Sequence, residues 1–307
     1  MKTITQTWIQ TKITLTQAPS LAVPNQHGLT NISPATIKWM TYATTRLTRH
    51  IGNLEINTIT PNHIADWQQH EMSRPITPNT ANSYLRAIKV MFTRLQRNST
   101  IGTNPAQPID YWPEPTPTPK SISPAHYHTI LATTTNPRNR AILAALWSTG
   151  CRLGGLISMR IDKIQTTHTD AGQPHHALYI TEKGKNGKQK PRWVYSKGME
   201  AIIIQTWLNT RPASRTPALF TIGSKKPRPL TKTAVSHLFH TIRQNNPNLI
   251  HANPHAFRHA FAIRNLDTGR DIALVSQWLG HHSPEYTAKI YAIRSEEELR
   301  RAYFSQL

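Results

Sequence analysis

The apolar and polar positions of the chain repeat with a helical period over most of its length. "SPATIKWMTYATTRLTRHI" (33–51), "TPNHIADWQQHEM" (60–72) and "TPNTANSYLRAIKVMFTRLQRN" (77–98) each open on Ser or Thr followed by Pro. A hydroxyl at the N-cap accepts an orphan backbone N–H, and the fixed φ of proline suits the first helical position. The spacing therefore predicts helices that start after Ser33, Thr60 and Thr77. In the third of them Tyr84, Leu85, Ile88, Phe92 and Leu95 form one apolar stripe, with Arg86, Lys89, Arg94 and Arg97 mostly off it. Residues 1–30 lack clean periodicity and contain Pro19, Pro24 and Gly28, which reads as a loosely ordered N-terminal arm with room for one short strand or helix.

A proline-rich stretch, "NPAQPIDYWPEPTPTPKSISP" (104–124), interrupts the helical text. Proline at that density cannot continue a helix and favours semi-rigid extended chain. It divides the chain into a helical domain over 31–112, a linker over 113–123 and a second domain over 124–307. In the second domain a helix capped by Ser123 precedes "NRAILAALWSTG", whose apolar run reads as a buried helix. "HALYIT" and "RWVYS" read as a hairpin joined by the basic turn "EKGKNGKQKP". Further helices follow at "GMEAIIIQTWLNTR", "TKTAVSHLFHTIRQN" and "SEEELRRAYFSQL". The fold class expected is mainly α with a small β-sheet.

Charge narrows what such a chain touches. Its 36 Lys and Arg outnumber 15 Asp and Glu, a formal +21 over 307 residues. The excess is spread along the chain, with 10 basic and 3 acidic residues in 1–104 and 25 and 10 in 121–307, so it is not a basic tail on a neutral enzyme. A surplus of that size points to a polyanion. As a set, Arg86, Lys89 and Arg94 make a candidate phosphate-facing surface in the first domain, and Lys185 and Lys188 another in the hairpin turn. A single cysteine, Cys151, excludes an internal disulfide and a multi-cysteine zinc site. The apolar runs are too short to span a bilayer, and a cytoplasmic location is expected.

The densest chemistry lies in "HAFRHAFAIRNLDTGRDIALVSQWLGHHSPEYTAKIYAI" (255–293), with four His, three Arg, two Tyr and three carboxylates. Asn253 and Pro254 open a helix that carries His255 and Arg258 on one face at its start. Free N–H groups, the positive end of the helix dipole and a guanidinium together suit a phosphate. His259 follows His255 by four, but the zinc-protease pattern needs glutamate where Ala256 stands. Gly280 ends a helix, His281 and His282 occupy the turn, and a short helix beginning at Ser283 carries Tyr286 and Tyr291. A tyrosine can attack phosphorus when neighbouring cations stabilise its phenolate and the transition state.

These residues resemble the C-terminal signature of the tyrosine recombinases, or phage integrases: H-x-x-R, an L-G-H turn, then tyrosine. His255, Arg258, His281 and Tyr291 match it, with His281 preferred to His282 because it follows Leu279 and Gly280 directly. The family also has an arginine after a T-G turn, matched by Arg152, and a lysine in a hairpin turn, matched by Lys183 with Lys185 as second choice. The resemblance extends over residues 33–307 and implies a helical, SAM-like core-binding domain followed by a mixed α/β catalytic domain. One position departs from the pattern. The family usually has an acid three residues after the first arginine, and here Gly155 stands there.

What the resemblance implies is site-specific recombination through a 3′-phosphotyrosyl intermediate, with no cofactor and no metal. Tyr291 is then the nucleophile, Arg152 and Arg258 clamp the non-bridging oxygens, Lys183 is the general acid, His255 accepts the tyrosine proton and His281 bonds the phosphate. Double-stranded DNA with specific sites is the implied partner, bound by a homo-oligomer (a dimer on a site, a tetramer in the synapse) associated with the nucleoid. The last helix, 296–307, would dock into a neighbouring protomer. Asp267, Asp271 and Glu285 are expected to point away from the phosphate. The alternatives are a type IB topoisomerase-like relaxing enzyme and a non-catalytic DNA-binding regulator on the same fold, with a zinc hydrolase behind them.

Overall fold

The computed structural model describes residues 12–23, 32–114, 120–184 and 189–291, with Arg300 and Phe304; for Lys183 and 289–291 it describes the backbone alone. Lys185, Lys188, the outer part of the N-terminal arm, the middle of the linker and, apart from Arg300 and Phe304, the expected C-terminal exchange helix lie outside the described residues. The chain falls into two compact units, divided within the proline-rich stretch.

The first unit is helical: α1 (Ala18–Leu21), α2 (Pro34–Ile51), α3 (Pro61–Met72) and α4 (Pro78–Arg97). Ser33, Thr60 and Thr77 cap the last three by accepting the N–H of Thr36, His63 and Thr80, with proline at the first position of each. Such caps contribute about 1 kcal/mol apiece. The α4 stripe of Leu85, Ile88, Phe92 and Leu95 is fully buried against Met40 and Leu47 of α2 and Ile64 and Trp67 of α3. Asn82, also buried, accepts from the Trp112 N–H and donates to the Trp112 carbonyl and to Glu114, which ties the chain entering the linker to α4.

Residues 12–23 of the arm include the short helix that the sequence allowed, but they are packed and not loose. Leu15, Ala18 and Ala22 have no exposed surface and belong to the first unit's core. Leu15 donates to the Leu54 carbonyl and Ile56 to the Ile13 carbonyl, both at 2.9 Å. The expectation for Arg94 changes with it. Its Nε donates to the Ala22 carbonyl at 2.6 Å and the residue is 7% exposed, so this arginine holds the end of α1 and does not face a polyanion. Lying off the apolar stripe does not place a residue in water when a remote segment covers that side of the helix. Arg86 remains exposed and Lys89 half-buried.

In the second unit, α5 (Pro124–Thr133) and α6 (Pro137–Thr149) precede α7 (Leu153–Ser158). Residues 141–147 of α6 are all buried, as expected of a helix apolar on every side. Trp147 stacks on Tyr127 of α5 at 4.1 Å, with Phe257 edge-on to both. A three-stranded antiparallel sheet follows in the order β1 (Ile164–His168), β2 (Pro174–Lys183) and β3 (Gln189–Ser196), with Leu178 opposite Val194 and Lys183 opposite Gln189. The hairpin agrees with the pattern; β1 was not anticipated, because four of its five residues are exposed and no apolar alternation marks it. Next come α8 (Gly198–Thr210), a ribbon of β4 (Thr221–Ile222) and β5 (Arg228–Pro229), α9 (Lys232–Asn245), α10 (Pro254–Asp267), α11 (Ile272–Leu279) and α12 (Pro284–Tyr291). No helix among the described residues is long and apolar enough to cross a membrane.

Replacing Arg94 by Met removes the donor from a buried carbonyl, which is expected to cost about 1–3 kcal/mol of stability. The salt dependence of DNA affinity should stay as in the parent. Urea unfolding and a salt titration of binding check this; unchanged stability with a shallower salt slope would return Arg94 to the DNA surface.

Candidate functional site

The site forms where two turns meet. The first turn follows α6, where Gly150 adopts the left-handed conformation (φ +58°) and sends the chain into Arg152, the N-cap residue of α7. A Cβ at residue 150 would lie 2.6 Å from the Phe261 ring, so both the space and the conformation select glycine. The second turn follows α11, where Gly280 (φ +68°) leads into His281. A Cβ there would strike the Arg192 guanidinium at 2.6 Å.

Arg258 joins the two turns. It projects from the start of the second turn of α10, whose N-terminus is capped as expected by the Asn253 side chain accepting from the N–H of His255 and Ala256. The Arg258 guanidinium is 1% exposed. Its Nη1 donates to the Gly150 carbonyl at 2.8 Å and its Nη2 to the Leu279 carbonyl at 2.7 Å. A buried cation is tolerable only when hydrogen-bonded and balanced by charge. The charge comes from Glu182, near the end of β2. This carboxylate is 4% exposed, meets Arg152 Nη1 at 2.8 Å and Arg192 Nη2 at 3.2 Å, and also accepts the Arg152 backbone N–H at 2.7 Å. Although burial works to raise its pKa, Arg192, the Arg152 N–H, Arg258 and Arg152 outweigh that and hold it below the usual carboxylate range.

The histidines report the same convergence. Burial, then Arg258 and Arg152, depress His255; the same three causes, joined by His282 and Arg192, push His281 down to about 3. His259 is pushed down to about 4 by burial, His255 and Arg258, and its ring meets that of His255 edge-on at 4.4 Å. All three are neutral near pH 7. His281 Nδ1 lies 2.7 Å from the Thr287 hydroxyl, which is fully buried in α12, and its ring meets Tyr286 edge-on at 5.0 Å. That contact ties α12 to the turn, and Tyr291 follows Thr287 by four residues, one helical turn.

Four of the expected site residues, Arg152, His255, Arg258 and His281, therefore come together, and α12, whose last residue is Tyr291, packs on α10 and α11. Lys183 ends β2 directly after Glu182; its side chain, like that of Tyr291, is outside the described residues. Lys190 and Arg192 of β3 had no place in the reading of the sequence. Lys190 Nζ donates to the Gly280 and His281 carbonyls, and Arg192 to that of Trp278, so β3 supports the turn that carries His281. Asp271, one of the three carboxylates expected to point away from the phosphate, is spent on capping α11, whereas Glu182, which that expectation did not name, lies within the cluster. Three guanidiniums packed without a counter-charge would repel one another. Cys151 beside them is fully buried, with its thiol raised to about 11 by burial first, and is inert at neutral pH.

In the first unit Arg86 and Lys89 flank the Tyr111 ring, their charged ends 5.5 and 4.9 Å from its centre. Arg46, Arg49, His50, His70 and Arg74 line a separate cleft around Glu71, which the sequence alone did not single out. Arg46 closes one side of it by pairing with Glu71.

Residues 120–298 match the model of the phage integrase family. The chain belongs to this family. It is a tyrosine recombinase, an enzyme of site-specific DNA recombination. Tyrosine recombinase XerC of Leptospira interrogans is 26% identical over 244 residues, which span 77% of this chain and 73% of that protein. XerC of Treponema denticola is 29% identical over 171 residues, which span 54% of this chain and 55% of that protein. The Tn1549 transposon integrase, solved in complex with circular intermediate DNA, has the same fold at a TM-score of 0.71 and 15% identity, covering 95% of this chain and 99% of that one. A lambda integrase dimer bound to a COC′ core site does so at 0.68 and 15%, covering 92% and 79%. Recombination is thereby favoured over the relaxing enzyme and the regulator.

The depressed histidines set a pH dependence. His281 titrates near 3 when folded and near 6.5 when unfolded. Below pH 6.5 the unfolded chain binds the proton that the folded one refuses, so the stability is fully present above 6.5 and is lost as pH falls toward 3. The slope is at most about 1.4 kcal/mol per pH unit for each such histidine. Urea unfolding between pH 5 and 6 should show His281→Gln removing up to one proton from this slope. An unchanged slope, or an imidazole NMR signal of His281 titrating near 6.5, would contradict the burial argument.

Proposed function

We propose that the second unit cleaves and rejoins DNA through a 3′-phosphotyrosyl bond. The Tyr291 phenol oxygen attacks the backbone phosphorus. The bond from phosphorus to the 5′-oxygen breaks, and that oxygen leaves as a hydroxyl. A 5′-hydroxyl from another strand reverses the step, so that strands are exchanged with the bond energy kept. The observation that carries this reading is the meeting of Arg152, His255, Arg258 and His281, drawn from separate elements, in one electrostatic neighbourhood.

Each role follows from charge and position. The transition state gathers negative charge on the non-bridging oxygens, and prepositioned donors in a dry site stabilise it most. Arg152, whose side chain is 40% exposed, is the guanidinium most open to an incoming phosphate, and Arg258 beneath it is already fixed by two carbonyls. His255 is held neutral by burial and by the two arginines, so it can take the phenol proton at neutral pH. His281 donates to the phosphate, and Lys183, at the strand end, protonates the leaving oxygen. In the first unit Arg86 and Lys89 contact the DNA backbone, and Lys185 and Lys188 do so from the hairpin turn.

The partner is double-stranded DNA carrying specific sites, bound by a dimer that pairs into a tetramer when two sites meet, in association with the nucleoid. A charge of +21 supports a polyanionic partner. The solved relatives bound to DNA support its being DNA, and the lambda integrase dimer on its core site supports a dimer on one site.

Tyr291→Phe should bind DNA within a few-fold of the parent and form no covalent adduct on a nicked suicide substrate. Tyr286→Phe should still form it. Gel shift and denaturing electrophoresis check both, and an adduct that survives in the first variant and vanishes in the second would move the nucleophile to Tyr286.

A further inference from the structure

We propose that Glu182 is the positioning residue for Arg152, supplying from strand β2 the carboxylate that the family pattern places three residues after this arginine. The inference rests on the role given above to Arg152 as a phosphate clamp.

Gly155 stands at that position, inside α7, and is buried. Its backbone is not in the left-handed region, so conformation does not require glycine there. A glycine within a helix is less stable than alanine there, and something must offset the loss. The space explains it. A Cβ at residue 155 would lie 2.7 Å from Glu182 Oε1, 2.9 Å from Ile180 Cδ1 and 3.0 Å from Glu182 Cγ. The volume that a side chain at 155 would enter is filled by the carboxylate of Glu182.

Glu182 also makes the contacts that a positioning acid needs. One oxygen accepts the Arg152 backbone N–H at 2.7 Å and the other the Arg152 Nη1 at 2.8 Å, so the carboxylate grips the arginine at both ends. That fixes the side chain's direction as well as its charge. The supporting shell is in place too. The Ser158 hydroxyl donates to the Gly155 carbonyl at 2.7 Å and accepts the Thr181 N–H at 2.8 Å, pinning β2 against α7 on either side of the pair. Gly155 and Glu182 thus act as one exchange. The acid has moved from helix to strand, and the helix has given up its side chain to admit it. The strand position has a further consequence, because the residue that orients Arg152 directly precedes Lys183 in the chain. Binding of phosphate by the arginine and placement of the lysine backbone share one anchor.

The test compares Glu182→Gln, Glu182→Ala, Gly155→Asp and the double variant Gly155→Asp/Glu182→Ala, in the full chain, by single-turnover cleavage of a suicide substrate and by DNA affinity. Glu182→Ala should slow cleavage by about 10²–10³ while affinity changes by only about 3-fold. Glu182→Gln, which keeps the shape and the bond from the backbone N–H, should lose less. Gly155→Asp alone should be slow, because two carboxylates compete for one space. The double variant should regain cleavage to within about 10-fold of the parent, which general loss of stability would not produce. Nitrogen-15 NMR of the Arg152 guanidinium, with Arg152→Lys for assignment, should show hindered rotation in the parent and the double variant and averaged signals in Glu182→Ala. A parental cleavage rate in Glu182→Ala, or a folded double variant as slow as Glu182→Ala, overturns the proposal. If no variant and no parent forms an adduct, the recombinase chemistry fails instead, and the guanidinium signals still decide whether Glu182 holds Arg152.

Discussion

The site depends on one buried guanidinium. Arg258 spends a donor on each of two backbone carbonyls that are 129 residues apart in the chain, those of Gly150 and Leu279. These carbonyls belong to the turns that present Arg152 and His281. An apolar side chain could fill the space but could donate to neither carbonyl. Placing a cation there is costly unless every interaction is made, and Glu182 supplies the compensating charge within the same cluster. The interaction is therefore as much architectural as electrostatic, since it decides whether the two turns face each other at all.

The electrostatics of the cluster follow from that burial. Arg152, Arg192 and Arg258 surround a single carboxylate, which leaves a surplus of positive charge. The surplus shows in the three neighbouring histidines, each held neutral with burial as the first cause and cations next, or a neighbouring histidine in the case of His259. An anion entering such a place meets donors already oriented, and a neutral imidazole able to accept a proton. Glycines 150 and 280 are the backbone side of the same arrangement, each turning the chain where a side chain would collide with a neighbouring ring or guanidinium.

Much of this was legible in the chain because it is local chemistry. Ser-Pro and Thr-Pro starts, the Asn253 cap and the glycine stops involve residues within a few positions of one another, and the structure keeps them. The convergence of Arg152, His255, Arg258 and His281 was reached through their order along a family pattern, which no periodicity supplies. What was not legible depends on remote neighbours. Arg94 lies off its helix's apolar stripe, and nothing near it in sequence says that α1 covers that side. Glu182 was grouped with a basic turn, because strand β2 runs two residues farther than its apolar pattern. A signal for it did exist. Two adjacent glycines in "RLGGLIS" within a helix mark a close approach by something, although not by what.

Hydrogen exchange tests the central interaction most directly. In Arg258→Lys the charge remains, but one nitrogen replaces the two that now bond the Gly150 and Leu279 carbonyls separately. The account predicts that amides of residues 149–152 and 279–283 lose protection together while the β2–β3 ladder keeps its own. Protection unchanged in both turns, or lost in one alone, would contradict the claim that this guanidinium holds the site together.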